Sequence, residues 1–288
     1  MNAILEVNGL CKSFNHFSLK DIGFSLPEGC ITGFIGINGS GKTTTIKSIL
    51  GLVLKEAGEV KLFGQEFDKN ERELKNRIGI VMDEGYLYED LTIKEMTKVF
   101  APAYSTWDEY VFSSYIKRFK LDPNQKIAAL SKGMRMKYAI ALALSHHADL
   151  LIMDEPTSGL DPLVRSELMD ILLDFMKEEG KSVFFSTHIT SDLDKVADLL
   201  IMIDDGKIVF TEEKDTLLDT HGLVKGDKKL LNEHNRNLFL KLRETEYGFE
   251  GVTKQKAAVR QEMNGVLIER PSIEAIMLGY VGGDKNAY

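Results

Sequence analysis

The chain has 288 residues, 43% hydrophobic and 28% charged, with 36 Lys+Arg against 44 Asp+Glu for a net charge of −8. This is an ordinary globular composition, long enough to bury a core without metal or disulfide staples, and it excludes global disorder. The acidic balance speaks against nucleic acid as a partner, because binding a phosphate backbone needs clustered Lys and Arg.

Two cysteines, Cys11 and Cys30, are too few for a disulfide framework and fit a reducing compartment as inert thiols. The opening Met1-Asn2-Ala3-Ile4-Leu5-Glu6 has neither the basic flank nor the apolar stretch of a signal peptide. No run of about 18 apolar residues, the length needed to cross a bilayer, occurs.

Residues 4–7 and 22–26 read as short strands, the second closing on the turn Pro27-Glu28-Gly29. Residues 30–35 form a compact apolar run, a buried strand that stops at a glycine-rich stretch. Beyond it, Ile46, Ile49, Leu50 and Val53 recur at helical spacing. The stretch 92–129 is mostly helical in composition, and Ser131 reads as the N-cap of a helix burying Tyr138, Leu142 and Ser145 or their neighbours. Residues 150–153 and 183–186 are two more buried strands. Between them Leu168, Ile171, Leu172 and Phe175 mark an amphipathic helix with Gly180 as its stop. Residues 199–203 and 208–210 flank Asp204-Asp205-Gly206-Lys207, a hairpin signal. From 212 to 250 the chain is charge-rich and weakly periodic, and a small α+β tail follows, ending near Gly282-Gly283.

The strongest local signal is Gly36-Ile37-Asn38-Gly39-Ser40-Gly41-Lys42-Thr43-Thr44, set between a buried strand and a helix. It matches G-x-x-x-x-G-K-[ST]. Glycines let backbone N–H groups converge on phosphate oxygens, and the helix N-terminus adds partial positive charge. Lys42 can reach the β- and γ-phosphates, and the Thr43 hydroxyl can ligate Mg²⁺. Such a loop says only that a nucleoside triphosphate is held.

A second constellation narrows the choice. Leu150-Leu151-Ile152-Met153-Asp154-Glu155 is an apolar strand ending in two carboxylates, of which Asp154 suits Mg²⁺ and Glu155 an attacking water. Pro156-Thr157-Ser158-Gly159-Leu160-Asp161 follows it. Leu130-Ser131-Lys132-Gly133-Met134-Arg135 lies upstream, and His188 comes just after the strand 183–186. Singly each is weak: a strand ending in two acids is common, and a lone His at a strand end is more often structural.

Together and in this order, over about residues 4–211, these motifs resemble the nucleotide-binding subunit of an ATP-binding cassette (ABC) transporter. The resemblance implies an α/β fold: a P-loop NTPase core sheet flanked by helices, with an N-terminal antiparallel β subdomain. A helical signature subdomain over about 85–145 would complete an ATPase domain of 1–211, with 212–288 as a small C-terminal α+β extension. The loop 36–44 falls at Walker A, 150–154 at Walker B, Ser131-Lys132-Gly133-Met134 at the signature, Ser158-Gly159-Leu160-Asp161 at the D-loop and His188 at the switch histidine. Phe14 falls where an aromatic ring meets adenine. Asp83 falls where a glutamine links magnesium to the membrane partner.

What the resemblance implies for function is specific. Two cassettes pack head to tail with ATP and Mg²⁺ between them, and Ser131 and the Gly133 amide close the γ-phosphate from the opposite subunit. Glu155 aligns the water, and His188 contacts that water or the phosphate. Three positions depart from the family pattern: Lys132 replaces the first signature glycine, Met134 a glutamine, and Asp83 the coupling glutamine, where it can bind Mg²⁺ or repel the phosphates. The implied partners are integral-membrane transporter subunits, gripped around 83–91, and a second ABC subunit, identical or not. The implied location is cytoplasmic, on the inner face of the cell membrane.

The single cassette, Gly159-Leu160-Asp161-Pro162 and the C-terminal Pro271-Ser272-Ile273-Glu274 resemble the bacterial ABC-2-like export group, within which exporters of peptides or antimicrobial compounds fit. Two alternatives stand beside this. A soluble ABC ATPase acting on ribosomes or DNA usually carries two cassettes or a long coiled-coil insertion. A non-hydrolysing regulatory module is opposed by Glu155 and His188. His146-His147 is read as a loop or helix end rather than a metal pair, Trp107 with Tyr104 and Tyr110 as core or partner surface, and Lys225-Gly226-Asp227-Lys228-Lys229 as a solvated loop.

Overall fold

A computed structural model describes residues 2–83 and 87–281. Gly282 and Gly283, and residues 84–86 of the stretch expected to meet the membrane partner, lie outside the described residues.

The centre of the fold is a six-stranded sheet. Ile31–Ile35 lies between Leu199–Asp204 and Ser182–Thr187, and Leu150–Asp154 and Ile78–Val81 extend it on the far side, all parallel. Lys207–Glu213 adds an antiparallel edge through a two-residue turn, in which Asp205 and Gly206 both have positive φ, as a type I′ hairpin requires. The strands Ile31–Ile35, Leu150–Asp154 and Ser182–Thr187 are buried along their whole length, which is why they read as unbroken apolar runs. Successive side chains go to opposite faces. Phe34, Ile152, Phe184 and Ile201 enter one core, while Ile35, Met153, Phe185 and Met202 enter the other.

The first of these cores is closed by an antiparallel sheet of Ala3–Phe14, Phe17–Pro27, Ala57–Leu62 and Gln65–Glu66. Its first two strands run well beyond the stretches 4–7 and 22–26, to either side of a tight turn. Register shifts between Ala3/Leu5, Val7/Leu10 and Leu10/Lys12 break the in–out alternation that would have extended the signal. The helix Lys42–Ile49 ends sooner than its apolar spacing suggested. Gly51 turns the chain at φ +70, so Val53 lies outside the helix.

The second core is closed by Ile93–Phe100, Glu109–Arg118, Lys132–Leu144 and Pro162–Phe175. Each begins at a side-chain cap supplied by Thr92, Asp108, Ser131 and Asp161 respectively. Tyr138, Leu142 and Ser145 are all buried. Gly180, at φ +80, lies five residues beyond Phe175 and turns the chain into the next strand rather than ending the helix.

After the helix Lys214–Thr220, a second antiparallel sheet forms from Lys241–Glu244, Phe249–Thr253, Gly222–Gly226 and Leu267–Glu269, over a small core of Val224, Phe249, Val259 and Met263. The final helix, Ile273–Tyr280, does not join that core. Ile273, Ile276 and Met277 bury into the large helical-side core together with Leu217 and Leu218. There Tyr280 meets His221 at 3.0 Å (OH to Nε2) and the ring of Phe210 at 5.4 Å. His146 and His147 point to different places, His146 to the carbonyls of Leu142 and Ile78 and His147 to Asp108.

Candidate functional site

Because Ile31–Ile35, Ser182–Thr187 and Leu150–Asp154 are parallel neighbours in register, their carboxyl ends bring Gly36, His188 and Glu155 to one edge of the sheet. That edge is where open α/β sheets bind ligands. The glycine loop is closed on one side and open on the other. A Cβ at Gly36 would come within 2.4 Å of the Ile203 carbonyl, and one at Gly41 (φ +116) within 2.7 Å of the Phe17 ring. At Gly39 (φ +81) nothing lies within 4 Å. The helix Lys42–Ile49 has no side-chain cap from Gly41, so its first amides are left for an acceptor from outside the helix. Thr43 and Thr44 are half-buried in that first turn, and Ser40 Oγ is buried without a hydrogen-bond partner.

Lys42 is 5% exposed. Its Nζ donates to the carbonyls of Gly36 (2.8 Å) and Ile37 (3.2 Å) and lies 3.1 Å from Glu155 Oε1. The other oxygen, Glu155 Oε2, lies 2.8 Å from His188 Nδ1 and also accepts the His188 backbone N–H. A carboxylate is acceptor-only, so that contact requires the proton on Nδ1. Glu155 holds this position through a left-handed backbone, φ +49, while its own N–H donates to Ser186 Oγ at 3.0 Å. Such a conformation is uncommon outside glycine and concentrates at functional turns.

Asp154 is buried, and its Oδ1 accepts the Ser186 hydroxyl at 2.6 Å. Ser186 thus steadies both carboxylate residues, a role that sequence reasoning missed. The available signal was a hydroxyl directly after the apolar run 183–185, and pairing in register with Asp154 places it. Among the described residues no group of three or more His, Cys, Asp and Glu is gathered to hold a metal. A divalent cation here would take the Thr43 hydroxyl, the free oxygen of Asp154, and phosphate and water oxygens, a donor set suited to Mg²⁺.

Phe14 is 49% exposed at the end of the first strand, paired with Phe17, the residue that lies against Gly41. An open ring therefore stands on the hairpin that borders the glycine loop.

The signature residues form a second group. Ser131 Oγ caps the helix Lys132–Leu144 by accepting the Met134 N–H at 3.2 Å, and Gly133 faces Val164 closely enough that a Cβ would meet it at 3.4 Å. Lys132 crosses Gly159, where an added Cβ would meet its Cδ at 3.3 Å, and its Nζ reaches Asp83 Oδ1 at 2.7 Å. That oxygen is buried and makes no aligned hydrogen bond, so the contact is one of charge. Asp83 thus turns one carboxylate oxygen to the Lys132 ammonium. Asp161 caps the following helix through the N–H groups of Leu163 and Val164, and Ser158, Gly159 and Leu160 form the turn before it. Arg165 then reaches Asp192 at 2.7 Å, tying that helix to the segment after His188. A groove of about 550 Å³ opens beside Asp83 and Lys132, lined also by Leu87, Glu89 and Arg135.

A glycine loop feeding a helix, faced by a buried acid and a second acid that already holds the loop's lysine, defines a P-loop nucleoside triphosphatase. The ABC transporter family model matches residues 19–158. The bacitracin transport ATP-binding protein BcrA of Bacillus licheniformis is 32% identical over 212 residues, covering 73% of this chain and 69% of that protein. The lantibiotic transport ATP-binding protein SrtF of Streptococcus pyogenes is 33% identical over 215 residues, covering 74% and 92%. A solved ATP-binding subunit of an ABC transporter matches with a TM-score of 0.67 at 28% identity, covering 75% of this chain and 92% of that one. A dimeric ATP-binding cassette bound to ADP and Pi shares the fold at a TM-score of 0.64 and 24% identity, covering 73% and 98%. The chain belongs to the ABC transporter family and is an ATPase of that family.

Proposed function

We propose that the chain is the ATP-hydrolysing subunit of a membrane exporter of peptides or antimicrobial compounds, working in a head-to-tail pair with ATP at the interface. The observation that carries the ATPase reading is the chain of contacts Lys42–Glu155–His188 at the mouth of the glycine loop. The names of BcrA and SrtF support the class of cargo. Among the described residues no helix is long and apolar enough to cross a membrane. The reading therefore assigns transport to integral-membrane partners, with this subunit on the inner face of the membrane.

In this reading the loop from Gly36 to Thr44 wraps the phosphates with backbone amides, and Lys42 exchanges Glu155 for the β- and γ-phosphates. Thr43 and Asp154 hold Mg²⁺, which when bound offsets the phosphate charge that builds up during transfer. Glu155, released by Lys42, accepts a proton from the attacking water, and His188 keeps its carboxylate aimed. Phe14 stacks on the base. Ser131, Gly133 and Met134 close the phosphate from the other subunit, and the turn Ser158-Gly159-Leu160-Asp161 faces that subunit. Residues 1–211 form the ATPase domain, and 212–288 extend it.

ATP hydrolysis by the purified chain, with and without candidate membrane subunits, tests this. Glu155→Gln should lose about 10²–10⁴-fold in turnover, the usual scale of general-base help. Hydrolysis stimulated by ribosomes or DNA and not by membrane subunits would turn the reading to a soluble ABC ATPase.

A further inference from the structure

Two of the residues that depart from the family pattern, Asp83 and Lys132, touch each other at 2.7 Å. Their contact joins the end of the strand Ile78–Val81 to the first residue of the helix Lys132–Leu144. Val81 pairs with Met153, and Asp83 and Glu155 each come two residues after that pair, so both acids follow the carboxyl ends of neighbouring strands. A carboxylate at 83 thus puts a second negative charge on the edge where phosphates are to be held, and Lys132 neutralises it. The lysine is 40% exposed at its side chain, and its stem rests over Gly159 with the ammonium at the end of a flexible chain. The arrangement repeats that of Lys42, whose ammonium is likewise held by an acid, Glu155, at 3.1 Å. A terminal phosphate, with more charge and three acceptor oxygens, is the stronger partner for either lysine.

We propose that Lys132 is a partner-exchanging cation of the composite ATP site. In the free subunit its ammonium neutralises Asp83, and in the ATP-bound pair it leaves Asp83 for the terminal phosphate held by the glycine loop of the other subunit. The inference rests on the head-to-tail arrangement proposed above. Once the terminal phosphate is lost, the return of Lys132 to Asp83 favours separation of the subunits, so the pair also sets how readily the dimer opens.

The test is the ATP concentration, at saturating Mg²⁺, that half-converts the chain to dimer, followed by light scattering in a Glu155→Gln background with ADP as control. Lys132→Met should raise it about tenfold, the scale of one charge-assisted contact. Lys132→Arg, which keeps the charge, should stay near the parent. Asp83→Asn removes the competitor and should lower the ATP requirement. Lys132→Met/Asp83→Asn should need less ATP than Lys132→Met, because the uncompensated carboxylate is gone, and more than Asp83→Asn, which keeps the lysine for the phosphate. A static brace behaves differently: both single variants then shift the requirement the same way, and that result overturns the proposal. So does a dimer indifferent to both positions, with the head-to-tail reading left standing. A parent that stays monomeric at saturating ATP removes that reading itself, and the proposal with it.

Discussion

Lys42 and Glu155 form an ion pair at 3.1 Å, both largely buried, so the residue proposed to bind phosphate and the residue proposed to orient water hold each other. The two functions are mutually exclusive in this geometry. Only when Lys42 finds a better acceptor is Glu155 free to orient a water, which couples readiness for hydrolysis to the arrival of the triphosphate.

That exclusivity predicts opposite effects on binding. Glu155→Gln removes the competitor for Lys42, whose bonds to Gly36 and Ile37 keep it satisfied. ATP affinity should rise about threefold to tenfold while hydrolysis is lost. Lys42→Met should weaken ATP binding roughly 10- to 100-fold. Equilibrium binding of a fluorescent ATP analogue measures both, and a weaker-binding Glu155→Gln would refute the competition.

Ser186 carries a second prediction. Its hydroxyl donates to Asp154 at 2.6 Å and accepts the Glu155 N–H at 3.0 Å, fully buried. Ser186→Ala leaves a buried carboxylate oxygen without its donor, a loss of about 2 kcal/mol of stability. It should also raise the Mg²⁺ concentration needed for half-maximal hydrolysis, because Asp154 is no longer oriented. Magnesium titrations of the variant check this, and an unchanged half-saturation would count against Asp154 as a metal ligand.

Acid should loosen the C-terminal helix. Burial lowers the pKa of His221, which is held neutral with Nδ1 toward the Leu217 carbonyl and Nε2 toward the Tyr280 hydroxyl. The unfolded chain titrates this group near the ordinary histidine value of about 6.5 and so binds more protons than the folded chain just below it. The stability contributed by His221 is therefore complete above about pH 6.5 and declines as the pH falls further. Between pH 7.5 and 5.5 the melting temperature should fall less in His221→Gln than in the parent. Some acid sensitivity should remain from His146, whose pKa burial also lowers.

Much of this is legible in the sequence wherever one physical cause acts alone. Strands buried on both faces must be apolar throughout, so 150–153 and 183–186 stand out, and the glycine loop must keep its residue types in order. Ile78–Val81 is hidden, because only four residues form it and one is Gly79, where a Cβ would come within 2.4 Å of Leu151 Cδ2. Pairings between distant positions are hidden as well. The sequence presents Asp83 and Lys132 as two separate departures from a pattern. Only the folded chain makes them one ion pair, and only the parallel register places Ser186 beside Asp154.

The composite site between two subunits is tested most directly by the mass of Glu155→Gln in solution with saturating MgATP, set against the same protein in MgADP. The head-to-tail arrangement predicts two subunits with ATP and one with ADP. A Glu155→Gln chain that stays a single subunit with ATP while hydrolysing at the parental rate would contradict it.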